Sequence, residues 1–400
     1  MNILITNSKT IGYGGAEISI SQFAGELKKR GHKVILASTG NFKGLNTEVF
    51  RPVEKYPFFV QCSYLKRFFI KVIRKHSIDI VCPQDRITTP AAILAAKSCS
   101  LPTVANIRDY WFACPRSSCL RPDYSKCAHC SWTRLLLCAK WYRYFFDLYK
   151  WVNLKKSCKI LEQADLKLVV SNSLKNKLAA CGVKTNVRKI MPPRRLEEFE
   201  NVRGVKDFKR RYGLKKVVVA YIGSFFYTKG VLQILKFMPP VLKKHRNVSL
   251  LMVGDGPLYR PFLKEINDKG LKEQVVLTGR LPFDKIPLCY AASDILLMPN
   301  LWEEPFGATL LEGPASGKPV VVSEEGGPSD VKGMFGYTLP PYDTKLWEKK
   351  ILYLIENPRA RASWGKKAKK NSRIYSMDIF ADKIEKYYSG LISLYREKSS

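Results

Sequence analysis

Residues 304–312 read Glu-Pro-Phe-Gly-Ala-Thr-Leu-Leu-Glu, and a Gly-Lys-Pro-Val-Val-Val run follows at 317–322. The nonapeptide reads as a loop entering a helix near Gly307. Glu304 then stands ahead of the helix and Glu312 about two turns in, where the 3.6-residue period returns it toward the same side. Unpaired amides at a helix start favour anionic oxygen, and each carboxylate accepts hydrogen bonds from vicinal hydroxyls. Such a pair suits a ligand with phosphate in its middle and hydroxyl-rich groups at both ends, a nucleotide sugar. For an isolated pair, two solvated glutamates on a surface helix would be the better reading, so the surroundings decide.

Working outward, Gly223, Lys229-Gly230-Val231, Val253-Gly254-Asp255-Gly256-Pro257 and Leu277-Thr278-Gly279-Arg280-Leu281-Pro282 precede it in order. Ala292-Ser293-Asp294-Ile295-Leu296-Leu297-Met298-Pro299 comes next, and Gly326-Gly327 follows. The first half adds Gly14-Gly15-Ala16-Glu17 after an apolar strand, and Ala164-Asp165 with Val169-Val170-Ser171-Asn172-Ser173 near its end. One glycine-rich turn is weak evidence; the ordered set is specific. It resembles the retaining glycosyltransferases of family 4, over most of the chain and most strongly over 217–327. The resemblance implies an α/β fold of the GT-B type, with two Rossmann-like parallel-sheet domains facing a cleft.

It also implies roles. Glu304 is expected beside the reacting carbon of the donor sugar and Glu312 on the ribose hydroxyls. Phe306 and Gly307 would offer backbone amides, and Leu281-Pro282 would lie against the base. Lys229 is placed to neutralise the departing diphosphate. Gly14, Gly15 and Gly223 would let the backbone approach phosphate or sugar, an ordinary tight turn being the alternative for the first two. Charge grows on the leaving diphosphate as the sugar becomes oxocarbenium-like, so catalysis is expected to be mostly electrostatic stabilisation and positioning. No Asp-x-Asp motif is needed, and no divalent metal or other cofactor is expected for catalysis; the nucleotide sugar is a substrate.

Two departures from the family pattern stand out. Gly223-Ser224 occupies the place of the frequent Gly-Arg, removing one diphosphate-binding cation, with Arg280 or Arg108 as candidates to help Lys229. Arg108-Asp109 occupies the place of the frequent His-Asp, and arginine is no general base at neutral pH. Asp109 remains a third candidate catalytic residue, with a structural or acceptor-contacting role as its alternative.

Four hundred residues exceed what one core usually organises. Apolar strands and helical stretches alternate in a βαβ rhythm. The expected division is 1–195 for an acceptor-binding domain, 196–211 for a linker after Met191-Pro192-Pro193-Arg194-Arg195, and 212–380 for a nucleotide-sugar domain. A helix at 381–400 would complete the chain, packing back on the first domain. No 18-residue apolar run offers a spanning helix, and Met1-Asn2 leads directly into Ile3-Leu4-Ile5, so a cytoplasmic protein is expected.

The net charge is +34, with +20 in residues 1–200 and +14 in 201–400, so the basic excess is not a detachable tail. Such a field attracts anionic lipid, nucleic acid or polyanionic substrates. Residues 64–75 and 132–151 mix aromatic and basic side chains. Read as a helix, 132–151 carries Lys140, Arg143, Asp147 and Lys150 on one narrow polar stripe, with most of the rest apolar. Core helices covering the sheet are one reading; docking on the inner face of an anionic membrane is the other. A lipid-linked acceptor for surface polysaccharide or glycolipid synthesis is the first expectation. A soluble acceptor is the second, and a non-catalytic polyanion-binding scaffold the third. No RNA-binding signature appears, so no nucleic-acid partner is expected.

Eleven cysteines occur, four of them as Cys114-x4-Cys119-x7-Cys127-x2-Cys130, with His129 and Cys138 near. The second pair has metal-knuckle spacing and the first does not. Zinc, an iron–sulfur centre and a metal-free cysteine-rich loop are all open readings.

Overall fold

The computed structural model describes residues 1–398 apart from 10–14, 128–129, 139–143 and 193, together with the backbone but not the side chain of Ala16. The chain divides into two compact units, Met1–Pro193 with Met377–Ser400, and Arg194–Ser376.

The first unit runs β1 (Asn2–Thr6), α1 (Gly15–Lys29), β2 (Lys33–Ser38), β3 (Asn46–Val49), α2 (Phe58–His76), β4 (Ile80–Pro83), α3 (Thr89–Ser98) and β5 (Val104–Ile107). It continues with α4 (Trp132–Cys138), α5 (Tyr144–Glu162), β6 (Leu166–Val169), α6 (Asn172–Ala180) and β7 (Val187–Lys189). Parallel strands in the orders β3-β2-β1-β4 and β5-β6-β7 are linked by a bridge from Val81 to Thr103. Ile-Leu-Ile in β1 and Val-Ile-Leu-Ala in β2 are buried throughout, as a sheet covered on both faces requires.

The second unit holds α7 (Val205–Arg211), β8 (Val217–Ile222), α8 (Val231–Lys244), β9 (Val248–Val253), α9 (Tyr259–Asp268), β10 (Val275–Gly279), α10 (Ile286–Ala292) and β11 (Ile295–Met298). α11 (Thr309–Ala315), β12 (Val320–Ser323), β13 (Gly336–Leu339), α12 (Thr344–Glu356) and α13 (Pro358–Ser372) complete it. Its sheet is parallel, in the order β10-β9-β8-β11-β12-β13. The order reverses between β8 and β11, and at such a switch point the loops beyond the strand ends splay apart and leave a crevice.

The stretch expected as a linker is folded instead. Leu196–Phe199 is a 3-10 turn with both terminal side chains buried, and Phe199 meets the Tyr290 ring edge-on at 5.6 Å. α7 follows with Phe208 buried, so residues 196–211 belong to the second unit. Their polar composition concealed the two buried rings.

The last helix, α14 (Met377–Glu397), belongs to the first unit. Its Phe380, Ile384, Tyr388 and Ile392 join the cluster of Ile3, Ile5, Phe23 and Leu27, with Phe23 and Phe380 edge to face at 5.2 Å. Arg30 bonds Asp382 at 2.6 Å and Glu385 at 3.0 Å across the same seam.

Residues 132–151, expected as one helix, form α4 and the start of α5, and Lys140 and Arg143 lie outside the described residues. Asp147, read as part of the narrow polar stripe, is buried, whereas the apolar Phe145 and Leu137 are 83% and 65% exposed. α2 behaves as a core helix on one side, burying Leu65, Phe69, Val72 and Ile73.

Candidate active site

The loops leaving β8 and β11 meet at the switch point of the second unit. Leu301 N–H donates to Thr228 O at 2.9 Å. Gly230 makes the approach feasible: its φ is +69°, and a Cβ there would lie 1.7 Å from Pro299 O, closer than any side chain tolerates. Gly230→Ala is therefore expected to lower stability by about 3 kcal/mol or to abolish folding, combining left-handed strain with a backbone clash. Thermal melts of the variant check this.

The loops deliver Lys229 to Glu304. Lys229 Nζ donates to Glu304 Oε2, which also accepts from Trp302 Nε1 at 2.9 Å and Asn300 Nδ2 at 3.1 Å. Glu304 is buried, while the Lys229 side chain is 27% exposed and lies 5.2 Å over the Trp302 ring. The backbone holds the carboxylate in place. Glu304 N–H donates to Glu325 O at 3.1 Å, and Gly327 N–H to Glu304 O at 2.7 Å. At Gly326, with φ +79°, a Cβ would fall 2.3 Å from Glu304 O. The negative charge is felt nearby: burial first, and Glu304 second, push the Tyr221 phenol above its usual range. Chemically this is a fixed carboxylate with a partly exposed cation beside it.

α11 begins at Thr309 rather than near Gly307, so Glu312 lies in its first turn. Phe306 is buried, and Gly307 takes φ +88°. Glu312 is buried and engaged on both oxygens. Oε1 accepts from Arg194 Nε at 2.7 Å and from its Nη2, and Oε2 accepts from the Tyr290 hydroxyl at 2.7 Å. Tyr290 titrates well above a free phenol, because of its burial and then the Glu312 charge. The Arg194 guanidinium also lies 5.5 Å from the Phe283 ring centroid. Glu312 is thus held in a buried ion pair, and a ribose would have to share its oxygens with Arg194 and Tyr290.

Beyond β9 and β10, Asp255, Gly256, Pro257, Tyr259, Arg260 and Gly279 line an open depression of about 570 Å³. Leu281 and Pro282, with one residue between them and Gly279, are not part of its lining. Gly223 follows β8 directly, and Ser224 accepts from the Tyr221 hydroxyl at 2.7 Å through its carbonyl. In the first unit, Gly15 opens α1 and Gly14 lies outside the described residues. Asp109 reaches solvent but is closely surrounded. That desolvation raises its carboxyl, while the Trp111 N–H, at 2.8 Å from Oδ1, pulls the other way.

Sequence reasoning gave Lys229 and Glu304 separate roles and missed their contact, along with Asn300, Trp302, Tyr290 and Arg194. Trp302 lies two residues before Glu304 and was findable; Arg194 was read as part of the Pro-Pro-Arg-Arg break closing the first domain, whereas it opens the second unit.

The description "Glycosyl transferases group 1" matches residues 203–371, and "Glycosyltransferase Family 4" matches residues 13–195. Together they take in both units. The chain belongs to glycosyltransferase family 4. An uncharacterised glycosyltransferase of Methanocaldococcus jannaschii is 24% identical, over 91% of this chain and 94% of its own length. The phosphatidylinositol N-acetylglucosaminyltransferase GPI3 subunit of Saccharomyces cerevisiae is 29% identical over 45% of this chain and 40% of its own. The crystal structure of Anabaena HepE in complex with UDP superposes with a TM-score of 0.76 at 18% identity, covering 98% of this chain and all of that one. The fold is that of the GT-B glycosyltransferases, and this family 4 chain is a glycosyltransferase. Among the described residues no helix is long and apolar enough to cross a membrane.

Proposed function

We propose that this glycosyltransferase moves a sugar, with retention of anomeric configuration, from a nucleotide-diphosphate sugar to a lipid-linked acceptor at an anionic membrane surface. The Lys229–Glu304 pair at the β8/β11 switch point carries the reading. A carboxylate fixed by three donors suits the sugar side. A partly exposed ammonium beside it suits the diphosphate, where negative charge grows as the glycosidic bond breaks. Glu312 is assigned to the ribose, through oxygens it shares with Arg194 and Tyr290. Asp109 is assigned to the acceptor side, and Gly14, Gly15 and Gly223 to close backbone approach of the donor.

The lipid part rests on the first unit. Trp132, Leu136 and Leu137 on α4 and Phe145, Phe146 and Tyr149 on α5 are exposed. Lys150 Nζ lies 4.3 Å from the centroid of the Phe146 ring, and Phe58 N–H donates to Tyr149 Oη at 2.7 Å, joining α2 and its exposed Phe59 to the patch. Aromatic side chains with flanking lysines suit a bilayer interface. The net charge of +34 adds attraction to anionic headgroups. A relative named for a phosphatidylinositol acceptor agrees with that chemistry.

Two measurements test the reading. A donor at ~100 times its dissociation constant adds roughly 2.7 kcal/mol of stability, so one of UDP, GDP or ADP and its sugar conjugates should raise the melting temperature. No response to any of them would overturn the donor assignment. On phosphatidylglycerol vesicles, Leu137→Asp with Phe145→Asp is expected to weaken binding at least about tenfold, because each substitution withdraws an apolar side chain from the interface. Unchanged binding would favour a soluble acceptor.

A further inference from the structure

Between β5 and α4 the chain runs through residues 108–131, and among the described residues the only pairing there is a bridge from Leu120 to Lys126. Tyr110, Trp111, Phe112 and Ala113 anchor the start of this stretch and Leu120 is buried further on, but among the described residues from 121 to 131 no side chain is buried. Ser117, Cys119 and Tyr124 nevertheless adopt left-handed φ of 56°, 53° and 65°, so something must hold the backbone there. Its thiols converge: Cys114, Cys119, Cys127, Cys130 and Cys138 all line one cavity of about 20 Å³. That volume admits a single water-sized occupant. The cavity is otherwise apolar except for Arg116, Arg134 and Asp147.

We propose that Cys114, Cys119, Cys127 and Cys130 bind a single zinc-class divalent ion as tetrahedral thiolates, pinning this loop to the α4–α5 pair. Hydrogen bonds within the loop draw the two cysteine pairs together. Arg116 N–H donates to Cys114 Sγ at 3.4 Å, Cys127 N–H donates to Cys119 O at 2.8 Å, and the Cys114 and Cys119 side chains are hydrogen-bonded. Binding releases one proton from each neutral thiol and leaves a net charge of −2 on the four-thiolate centre. Arg116 and Arg134 in the cavity wall offset that charge. Among the described residues no group of three metal-ligating side chains is placed to hold an ion, so binding requires these sulfurs to draw together; His129 lies outside the described residues. A single-ion cavity favours zinc over a multi-iron cluster. The loop is tied to α5 by Trp151 Nε1–H donating to Cys130 O at 3.3 Å and Cys158 Sγ–H to Phe112 O at 3.3 Å. The ion therefore sets the loop behind the exposed aromatic face, whether or not that face docks on lipid.

The test needs no substrate. The full chain, purified without chelator, is analysed for metals and then alkylated with iodoacetamide before and after a strong chelator, with the modified cysteines mapped by mass spectrometry. The expected result is one zinc per chain, with Cys114, Cys119, Cys127 and Cys130 protected until the chelator acts. Cobalt added to the stripped protein should give an intense thiolate-to-metal charge-transfer band. Cys127→Ser should lose most of the ion, whereas Cys289→Ser, in the other unit, should keep it. Absence of metal with immediate alkylation of all four thiols would overturn the proposal. So would disulfides in the intact mass, or iron with inorganic sulfide in place of zinc. The wild-type chelator comparison decides the matter even if the cysteine variants fail to fold.

Discussion

Lys229→Ala is expected to lower kcat/KM for sugar transfer about 10²–10³-fold, with most of the loss in kcat, while the melting temperature changes little. The size is that of removing one preorganised group that meets charge developing in the transition state. The loss should fall on kcat because the ground-state diphosphate already carries most of its charge, and the additional charge appears as the sugar departs. Lys229 is partly exposed, so its removal leaves water able to reach the Glu304 carboxylate, which keeps Asn300 and Trp302 as donors. Lys229→Arg should recover part of the rate, since the charge is restored with different geometry. Glu304→Gln should keep the hydrogen-bonded position but lose the charge beside the anomeric carbon, giving a rate loss with donor affinity largely retained. Steady-state kinetics on the folded variants distinguish these outcomes. A rise in KM alone, with kcat unchanged, would mean that Lys229 binds ground state and transition state equally.

Arg194→Ala is expected to destabilise the protein by about 3–5 kcal/mol, because it leaves the Glu312 carboxylate buried without its cation. Both side chains are nearly inaccessible, with exposures of 4% and 5%, so water cannot replace the missing partner. The double variant Arg194→Met with Glu312→Leu should recover most of that loss, since an apolar pair of similar volume avoids desolvating two charges. Urea titration with an unchanged m-value is the measurement. The same series separates structure from binding. If Glu312 also holds the ribose, the double variant will be stable and yet lose stabilisation by nucleotide. If it serves only the fold, the two effects will recover together.

The parallel sheets were legible because continuous apolar runs such as Val217-Val218-Val219-Ala220 mark strands buried on both faces. Lys229 and Glu304 were each legible as donor-site candidates from the ordered motifs, though their contact with each other was not. The Arg194–Glu312 pair was not, since it joins residues 118 positions apart and neither position carries a local period. The facing of α5 was equally hidden. Periodicity finds an apolar stripe but does not say which side meets the core, and here Asp147 turns inward while Phe145 and Phe146 turn outward. The segment at 196–211 misled through composition, its polar residues masking the buried Phe199 and Phe208.

The most direct test of the central claim is proton NMR of the transfer reaction, using the nucleotide sugar that stabilises the protein and a lipid-linked saccharide acceptor in mixed vesicles. The account predicts a new glycosidic linkage with the anomeric configuration of the donor, formed by the wild type and nearly absent with Lys229→Ala. An inverted product, or transfer by Lys229→Ala at the wild-type rate, would contradict it.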